Sequence, residues 1–428
     1  MTKQIISEEN SVYKPGKLLT GATMKRFFTL LVLTLFAGSI LGQSINLNQG
    51  SIKQKRYFQK IPYQNIDGKL IVPVTISGKT YNFLFDTGAP LIISNKIFKE
   101  FDLPIIGQIG IIDSGDAIKE MQCILLPVLQ LQEIIFINTV GVVHHDESSD
   151  YFDLFECFEI DGTIGSNMLR NSVVQFDEQN KHIIITDNYR KISKKEPKYQ
   201  WIQMELIPSQ SSPLIWTGLK KGEQKTRDNG VLFDTGDPNL YVMSMNAYDW
   251  FNEHNDIVDK IAESEGSFAW GMHGFFDKQR HLLLSIPELY VCGKMFDNVI
   301  INTTNSGSII GSHLLKFGKV TLDYKRKRFI YEPFDGVNTY ELSERPWAIF
   351  PKLQNDRLVV GIIWDKALES QINQGDEILS IEGLNIENMA ICDYIKLGFS
   401  KESFTGKRNL ELRDIKTGEV KTVEIKRL

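Results

Sequence analysis

The sequence predicts a mainly β protein built from two related halves, followed by a smaller module that mixes strands and helices. Three observations carry this. Short apolar runs separated by Gly and Asp turns fill residues 63–187, the pattern of an all-β region. A pair of motifs occurs twice along the chain, which points to an internal duplication. The pattern then changes character at about Glu341.

Residues 70–76 read as a strand, Ser77-Gly78-Lys79 as a turn and residues 80–85 as the return strand. Residues 247–264 hold the clearest helical pattern before the C-terminal module. Within the module, residues 358–363 read as an apolar strand and residues 367–373 as a short helix. Residues 375–383 form a turn, a strand and a turn, residues 386–397 a second helix, and two strands close the chain.

The duplication is specific. Phe83-Leu84-Phe85-Asp86-Thr87-Gly88-Ala89-Pro90 returns as Val231-Leu232-Phe233-Asp234-Thr235-Gly236-Asp237-Pro238. Ile164-Gly165-Ser166-Asn167-Met168-Leu169 returns as Ile310-Gly311-Ser312-His313-Leu314-Leu315, and Val174-Gln175-Phe176-Asp177 as Val320-Thr321-Leu322-Asp323. Gly165 follows Asp86 by 79 residues and Gly311 follows Asp234 by 77. One Asp-Thr-Gly is ordinarily an Asx-turn after a strand. Two, each followed at nearly the same distance by the same second motif, point to a shared site.

Two carboxylates in one site supply what metal-free hydrolysis of a peptide needs. Close like charges cannot both ionise easily, so the dyad holds one proton. The ionised group takes the proton of a water while the protonated group polarises the scissile carbonyl; the two titrate as a unit. Leu84-Phe85 and Leu232-Phe233 would bury the approach to each loop. Gly88 and Gly236 permit tight loop geometry, and Thr87 and Thr235 can hydrogen-bond across to the opposite loop. Asp86 and Asp234 are therefore the expected catalytic residues, with Thr87, Gly88, Thr235 and Gly236 supporting them.

On these motifs, residues 63–334 resemble the pepsin and retropepsin superfamily of aspartic peptidases. Thr163-Ile164-Gly165 and Ile309-Ile310-Gly311 are similar to that family's apolar-apolar-Gly segments beneath the loops. The resemblance implies a bilobal β-barrel fold, one lobe over residues 57–190 and another over 199–335, with a polypeptide cleft between them. It also implies a hairpin flap; residues 107–116 and 270–276 are the candidates, and each also reads as a flexible loop. Asp237 departs from the pattern, since the family usually has Ser, Thr or Ala there. A third carboxylate either turns to solvent, shifts the pH of activity or impairs the lobe.

In residues 341–428, Asp365-Lys366-Ala367-Leu368 and Gln374-Gly375-Asp376-Glu377-Ile378-Leu379-Ser380-Ile381-Glu382-Gly383 resemble PDZ domains of bacterial proteases. Such domains add an extended peptide to a sheet edge. The resemblance places a peptide or C-terminal ligand along Leu358, Val359, Val360, Gly361 and Ile362. Gln354-Asn355-Asp356-Arg357 departs from the Gly-rich carboxylate loop, and the module could instead only pack against the rest of the chain.

A net charge of −5 with both signs scattered over 428 residues gives no electrostatic case for nucleic acid; the basic run at residues 190–198 reads as a solvated linker broken by Ser193 and Pro197. Met24-Lys25-Arg26, an apolar stretch over 27–41 and Gly42-Gln43-Ser44 read as an export signal over residues 24–43. Residues 1–23 then precede the true start. The apolar stretch is shorter than the ~20 residues that span a bilayer, so no membrane insertion is expected after cleavage; an uncleaved anchor is the alternative. The expected location is periplasmic, cell-surface or extracellular. Cys123 with Cys157 is the expected disulfide, free buried thiols being the alternative. His273, His281 and His313 carry no catalytic pattern, and His144-His145-Asp146-Glu147 reads as a solvated loop or a metal site. No cofactor or metal is expected, and a monomer suffices because both aspartates lie in one chain.

The expected function is aspartic-type endopeptidase. The alternative is a peptidase fold that has lost activity and binds peptides through its cleft and its C-terminal module; self-processing alone is a third possibility.

Overall fold

The computed structural model describes residues 45–112, 118–145, 154–194, 201–267, 270–271, 274–275, 278–342, 345–355, 357–387, 389–390, 392–394 and 406–428. The fold is mainly β: of the described residues 56% are strand and 12% helix. The export signal at 24–43, residues 195–198 of the basic run, Asp146 and Glu147, and His273 lie outside the described residues.

The expected hairpin forms between Lys69–Ile76 and Lys79–Asp86, with Ile71 opposite Leu84. Ser77 and Gly78 close it with φ of 48° and 83°, the left-handed pair a two-residue hairpin turn needs. The hairpin is apolar on both faces for a reason. Leu70, Val72, Val74 and Phe83 face the main core, whereas Ile71 and Leu84 join a second core with the C-terminal module.

The two halves repeat one local arrangement. Gly162–Gly165 runs parallel to Lys79–Asp86 and antiparallel to Ile92–Ser94. Ile309–Gly311 runs parallel to Gln224–Asp234 and antiparallel to Tyr241–Ser244. Ile92–Ser94 and Tyr241–Ser244 each then pair in parallel with a longer strand, Ile134–His144 and Lys294–Thr304. Among the described residues each half builds a nine-stranded sheet.

A third sheet joins the halves. Val173–Asp177 from the first pairs antiparallel with Gly318–Asp323 from the second, Val173 opposite Asp323 and Phe176 opposite Val320. Above it the aromatic rings of Phe85, Phe176, Phe233 and Phe329 meet edge to face at centroid distances of 5.5, 6.1 and 5.2 Å. Edge-to-face pairs add roughly 0.5–1.5 kcal/mol each beyond area burial. The ladder links the residue before each Asp-Thr-Gly to the shared sheet, and one hydrophobic cluster spans both halves.

The C-terminal sheet has the order Ile349–Gln354, Arg357–Ile363, Glu377–Ile381, Lys407–Arg413, Val420–Lys426. Its core is continuous with Ile71, Leu84, Phe158 and Ile160 of the first half. Ile362 and Trp364 pack against Leu283 of the second half. Residues Ile45–Leu428 thus form one compact unit.

Several expectations are corrected. The helix expected over 247–264 is Met245–His254; Asp259–Gly266 is a strand paired with Gln279–Val291. Its Lys and Glu residues favour a helix, but pairing with an apolar neighbour overrides local propensity, and Glu263 bonds Arg280 across the strands at 2.7 Å. The helix expected over 367–373 is a shorter 3-10 turn, Lys366–Ser370, capped by Asp365. Of the helix expected over 386–397, the described part is helical at residues 392–394. The disulfide is Cys157–Cys392, and Cys123 is a free, buried thiol. Cys123 faces a small cluster with Val140 and Val142, whereas Cys157 faces the C-terminal module. The stretch 107–116 is a strand as far as Ile112, paired with Ile118–Leu131. Of 270–276, Trp270–Gly271 pairs with Gly274–Phe275.

Candidate active site

Asp86 and Asp234 each end a strand, and each is flanked in parallel register by a glycine: Gly165 opposite Asp86, Gly311 opposite Asp234. A Cβ on Gly165 would lie 2.1 Å from the Pro90 carbonyl carbon, and one on Gly311 2.3 Å from the Asn239 carbonyl oxygen. The two repeated motifs are therefore one device in each half: the glycine lets the second segment lie directly beneath the loop that presents the aspartate.

The loops face each other. A Cβ on Gly88 would lie 2.5 Å from Asp234 Cγ, and a Cβ on Gly236 2.5 Å from Asp86 Oδ2. Each loop's glycine leaves the space that the opposite carboxylate fills. Thr87 and Thr235, both fully buried, lock the arrangement. Thr87 N–H donates to Thr235 Oγ1 and Thr235 N–H to Thr87 Oγ1, both at 3.1 Å. The hydroxyls donate onward, Thr87 to the Phe233 carbonyl at 2.6 Å and Thr235 to the Phe85 carbonyl at 2.7 Å.

The carboxylates differ in their support. Asp86 Oδ1 accepts from Gly88 N–H at 2.8 Å and Ala89 N–H at 3.1 Å. Asp234 Oδ1 accepts from Gly236 N–H at 2.7 Å, while Asp237 N–H donates instead to the Asp234 backbone carbonyl at 3.3 Å. Burial, then the charge and hydrogen bond of Asp86, hold the Asp234 carboxyl well above the ordinary carboxylate range. Asp237 is partly buried and does not swing free. Its Oδ1 accepts from Asn239 N–H at 2.7 Å and Asn239 Nδ2 at 2.9 Å, and burial with the charge of Asp234 raises its pKa. Water held between Asp86 and Asp234 would meet one carboxyl biased toward its protonated form, the condition for paired acid and base chemistry.

A further ring of residues, outside the Asp-Thr-Gly motifs, surrounds the loops. Ser166 hydroxyl donates to the Thr87 carbonyl at 2.6 Å and lies 3.1 Å from the Tyr324 hydroxyl; Ser312 hydroxyl bonds the Asp237 carbonyl at 3.0 Å. Both serines follow the repeated Ile-Gly, so their signal was in the duplication itself. Gln210 and Ser212 donate to the Gly88 carbonyl at 2.8 and 3.1 Å, and Lys69 donates to the Gly236 carbonyl. No spacing announces these three.

The histidines sit elsewhere. His313 follows Ser312 and stacks on Phe317 with centroids 5.6 Å apart; burial, then Lys316, pull its pKa down to about 4. His281 is buried in its strand, and burial lowers its pKa. His144 stacks on Phe155 at 4.7 Å, and His145 Nε2 is 2.9 Å from Gln122 Oε1. Among the described residues no His, Cys, Asp and Glu group could hold a metal ion.

Leu358, Val359, Val360, Gly361 and Ile362 lie in Arg357–Ile363 and are buried. The strand pairs with Ile349–Gln354 on one side and meets Glu377 at Val359 on the other. A Cβ on Gly361 would lie 2.3 Å from the Ser267 carbonyl oxygen. The stretch assigned to peptide capture is thus covered in part by the chain itself.

No family model matches this sequence, and no curated protein matches it. Among solved structures it is similar to conglutin gamma, a basic 7S globulin from lupine seeds, at 9% identity and a TM-score of 0.41, over 65% of this chain and 95% of that one. The likeness is too slight to argue from. The resemblance to the pepsin and retropepsin superfamily and to PDZ domains is corrected accordingly: no family model and no curated protein supports either, and the chain is assigned to neither family.

Proposed function

We propose that this protein hydrolyses peptide bonds in a polypeptide substrate, using a water activated between Asp86 and Asp234. The observation that carries the reading is the reciprocal fit of the loops: each glycine vacates the volume that the other loop's carboxylate occupies. An ordinary Asx-turn after a strand has no need of such a fit. Two halves each contribute one aspartate, and the substrate lies between them across the dyad. The ionised carboxyl removes a proton from the water as it attacks the scissile carbonyl carbon. The protonated carboxyl donates to the carbonyl oxygen, giving a tetrahedral gem-diol. Collapse breaks the C–N bond: the protonated carboxyl gives its proton to the leaving nitrogen while the ionised carboxyl takes one from a gem-diol hydroxyl, so the dyad keeps one shared proton. No cofactor enters these steps.

Export goes with this reading. The Cys157–Cys392 disulfide suits an oxidising compartment, and among the described residues no helix is long and apolar enough to cross a membrane.

The test uses the purified full chain and an unfolded protein as substrate, from acid to neutral pH. A peptide carrying a secondary alcohol in place of the scissile carbonyl serves as inhibitor. Cleavage that this peptide blocks, and that Asp86→Asn and Asp234→Asn abolish, supports the proposal. No cleavage at any pH by the wild-type chain overturns it.

A further inference from the structure

The two Asp-Thr-Gly loops end strands in the same parallel register but differ in charge. In the first, Ala89 follows the glycine, and the Gly88 carbonyl accepts from the neutral Gln210 and Ser212. In the second, Asp237 follows the glycine, and the Gly236 carbonyl accepts from the Lys69 ammonium. The extra carboxylate and the extra cation occur on the same loop.

Lys69 is held there by more than its own bond. It follows the Asp67–Gly68 turn, both residues at positive φ (50° and 81°). Gly68 N–H donates to Asn65 Oδ1 at 2.9 Å, and the Gly68 carbonyl accepts from Ser312 Oγ at 3.0 Å. A Cβ on Gly68 would lie 3.0 Å from Pro238 Cβ. A turn of the first half is therefore seated on the second half's catalytic loop, with its next side chain aimed at the backbone between Asp234 and Asp237.

We propose that Lys69 is a positioning residue for the dyad: its ammonium, anchored on the Gly236 carbonyl, offsets the third carboxylate, Asp237, and lets one of Asp86 and Asp234 ionise. The proposal rests on the hydrolytic reading above. The Lys69 charge favours ionisation of both Asp234 and Asp237, against burial and the charge of Asp86 on the first and of Asp234 on the second. Of the other groups around the dyad, Tyr324 is kept neutral by burial, and Ser166, Gln210 and Ser212 carry no charge.

The test has two readouts on the full chain. One is the pH dependence of kcat/KM. The other is the 13C carboxyl titration of Asp-labelled protein, which needs no turnover. Lys69→Gln keeps a donor and removes the charge; it is expected to raise the midpoint of the Asp86–Asp234 pair, and the acid limb of kcat/KM, by roughly 1 pH unit. Lys69→Arg is expected to titrate as wild type. Asp237→Asn is expected to lower the midpoint, and Lys69→Gln with Asp237→Asn to return it close to wild type. An unchanged midpoint in Lys69→Gln, or Lys69→Arg behaving like Lys69→Gln, overturns the proposal. If Lys69→Gln does not fold, Asp237→Asn alone decides, an unmoved midpoint counting against it. If the wild-type chain cleaves nothing, the hydrolytic reading falls, and the carboxyl titration still judges Lys69.

Discussion

Thr87 and Thr235 exchange hydrogen bonds across the midline of the molecule, backbone N–H to hydroxyl in both directions at 3.1 Å. Each hydroxyl also donates to the carbonyl of the phenylalanine that precedes the opposite aspartate. Valine at either position keeps the shape and deletes the oxygen, leaving a buried N–H and a buried carbonyl without that partner. Each single substitution is expected to cost about 1–3 kcal/mol in urea unfolding. The double substitution should cost less than the sum, because the two share one network. Additive losses would mean that the two threonines act separately.

Asp234 makes stability depend on pH with a defined sign. Its carboxyl titrates above the ordinary range in the folded chain because of burial and Asp86. The folded state therefore holds a proton that the unfolded chain releases near pH ~4. This contribution is complete below that value and is lost as pH rises through the raised pKa. Asp234→Asn should abolish cleavage, by ~10²-fold at the least, and should gain thermal stability relative to wild type as pH rises above about 4. A difference in melting temperature that stays flat with pH would show that Asp234 is not held protonated.

Gly88 and Gly236 make a steric claim that alanine tests directly. A Cβ at either would sit 2.5 Å from the opposite carboxyl group, a separation that forces a side chain or backbone to shift. Overpacking of this kind typically costs ~1–3 kcal/mol, but the displaced atoms here belong to the dyad. Activity should therefore fall far more steeply than stability in both variants. An active Gly88→Ala would show that the loops sit farther apart.

His313 gives the opposite pH slope. Burial, followed by Lys316, brings its folded pKa down to about 4 from an ordinary 6.5. The folded chain resists charging this ring, so the contribution is complete above pH 6.5 and fades as pH falls toward 4. The whole effect amounts to about 3 kcal/mol. His313→Phe should keep the stack on Phe317 and flatten this part of the stability profile between pH 4 and 6.5. An unchanged profile would place the acid sensitivity in other groups.

The loops were legible because their chemistry is local and doubled. Asp86, Asp234 and the glycines beneath them recur with spacing, and backbone geometry demands a glycine at a close approach wherever it occurs. Lys69 was not legible: it opens an alternating strand, and only the Asp67–Gly68 turn brings it to a loop 167 residues away. The charged residues of the strand Asp259–Gly266 favour a helix, whereas the partner strand that overrules them, Gln279–Val291, begins 13 residues after it ends. The cysteine pairing failed for the same reason. Which face Cys157 presents depends on where the C-terminal module docks, and that surface is made by Ile71, Leu84 and Phe158 together.

The Cys157–Cys392 bridge closes a ring of chain across a sequence separation of 235 residues, and that ring contains the whole second half with its aspartate. A cut at any one bond inside the ring opens it without releasing a fragment. A molecule nicked once would migrate intact until its disulfide is reduced, so a single self-inflicted cut between these cysteines would leave both aspartates in one covalent body.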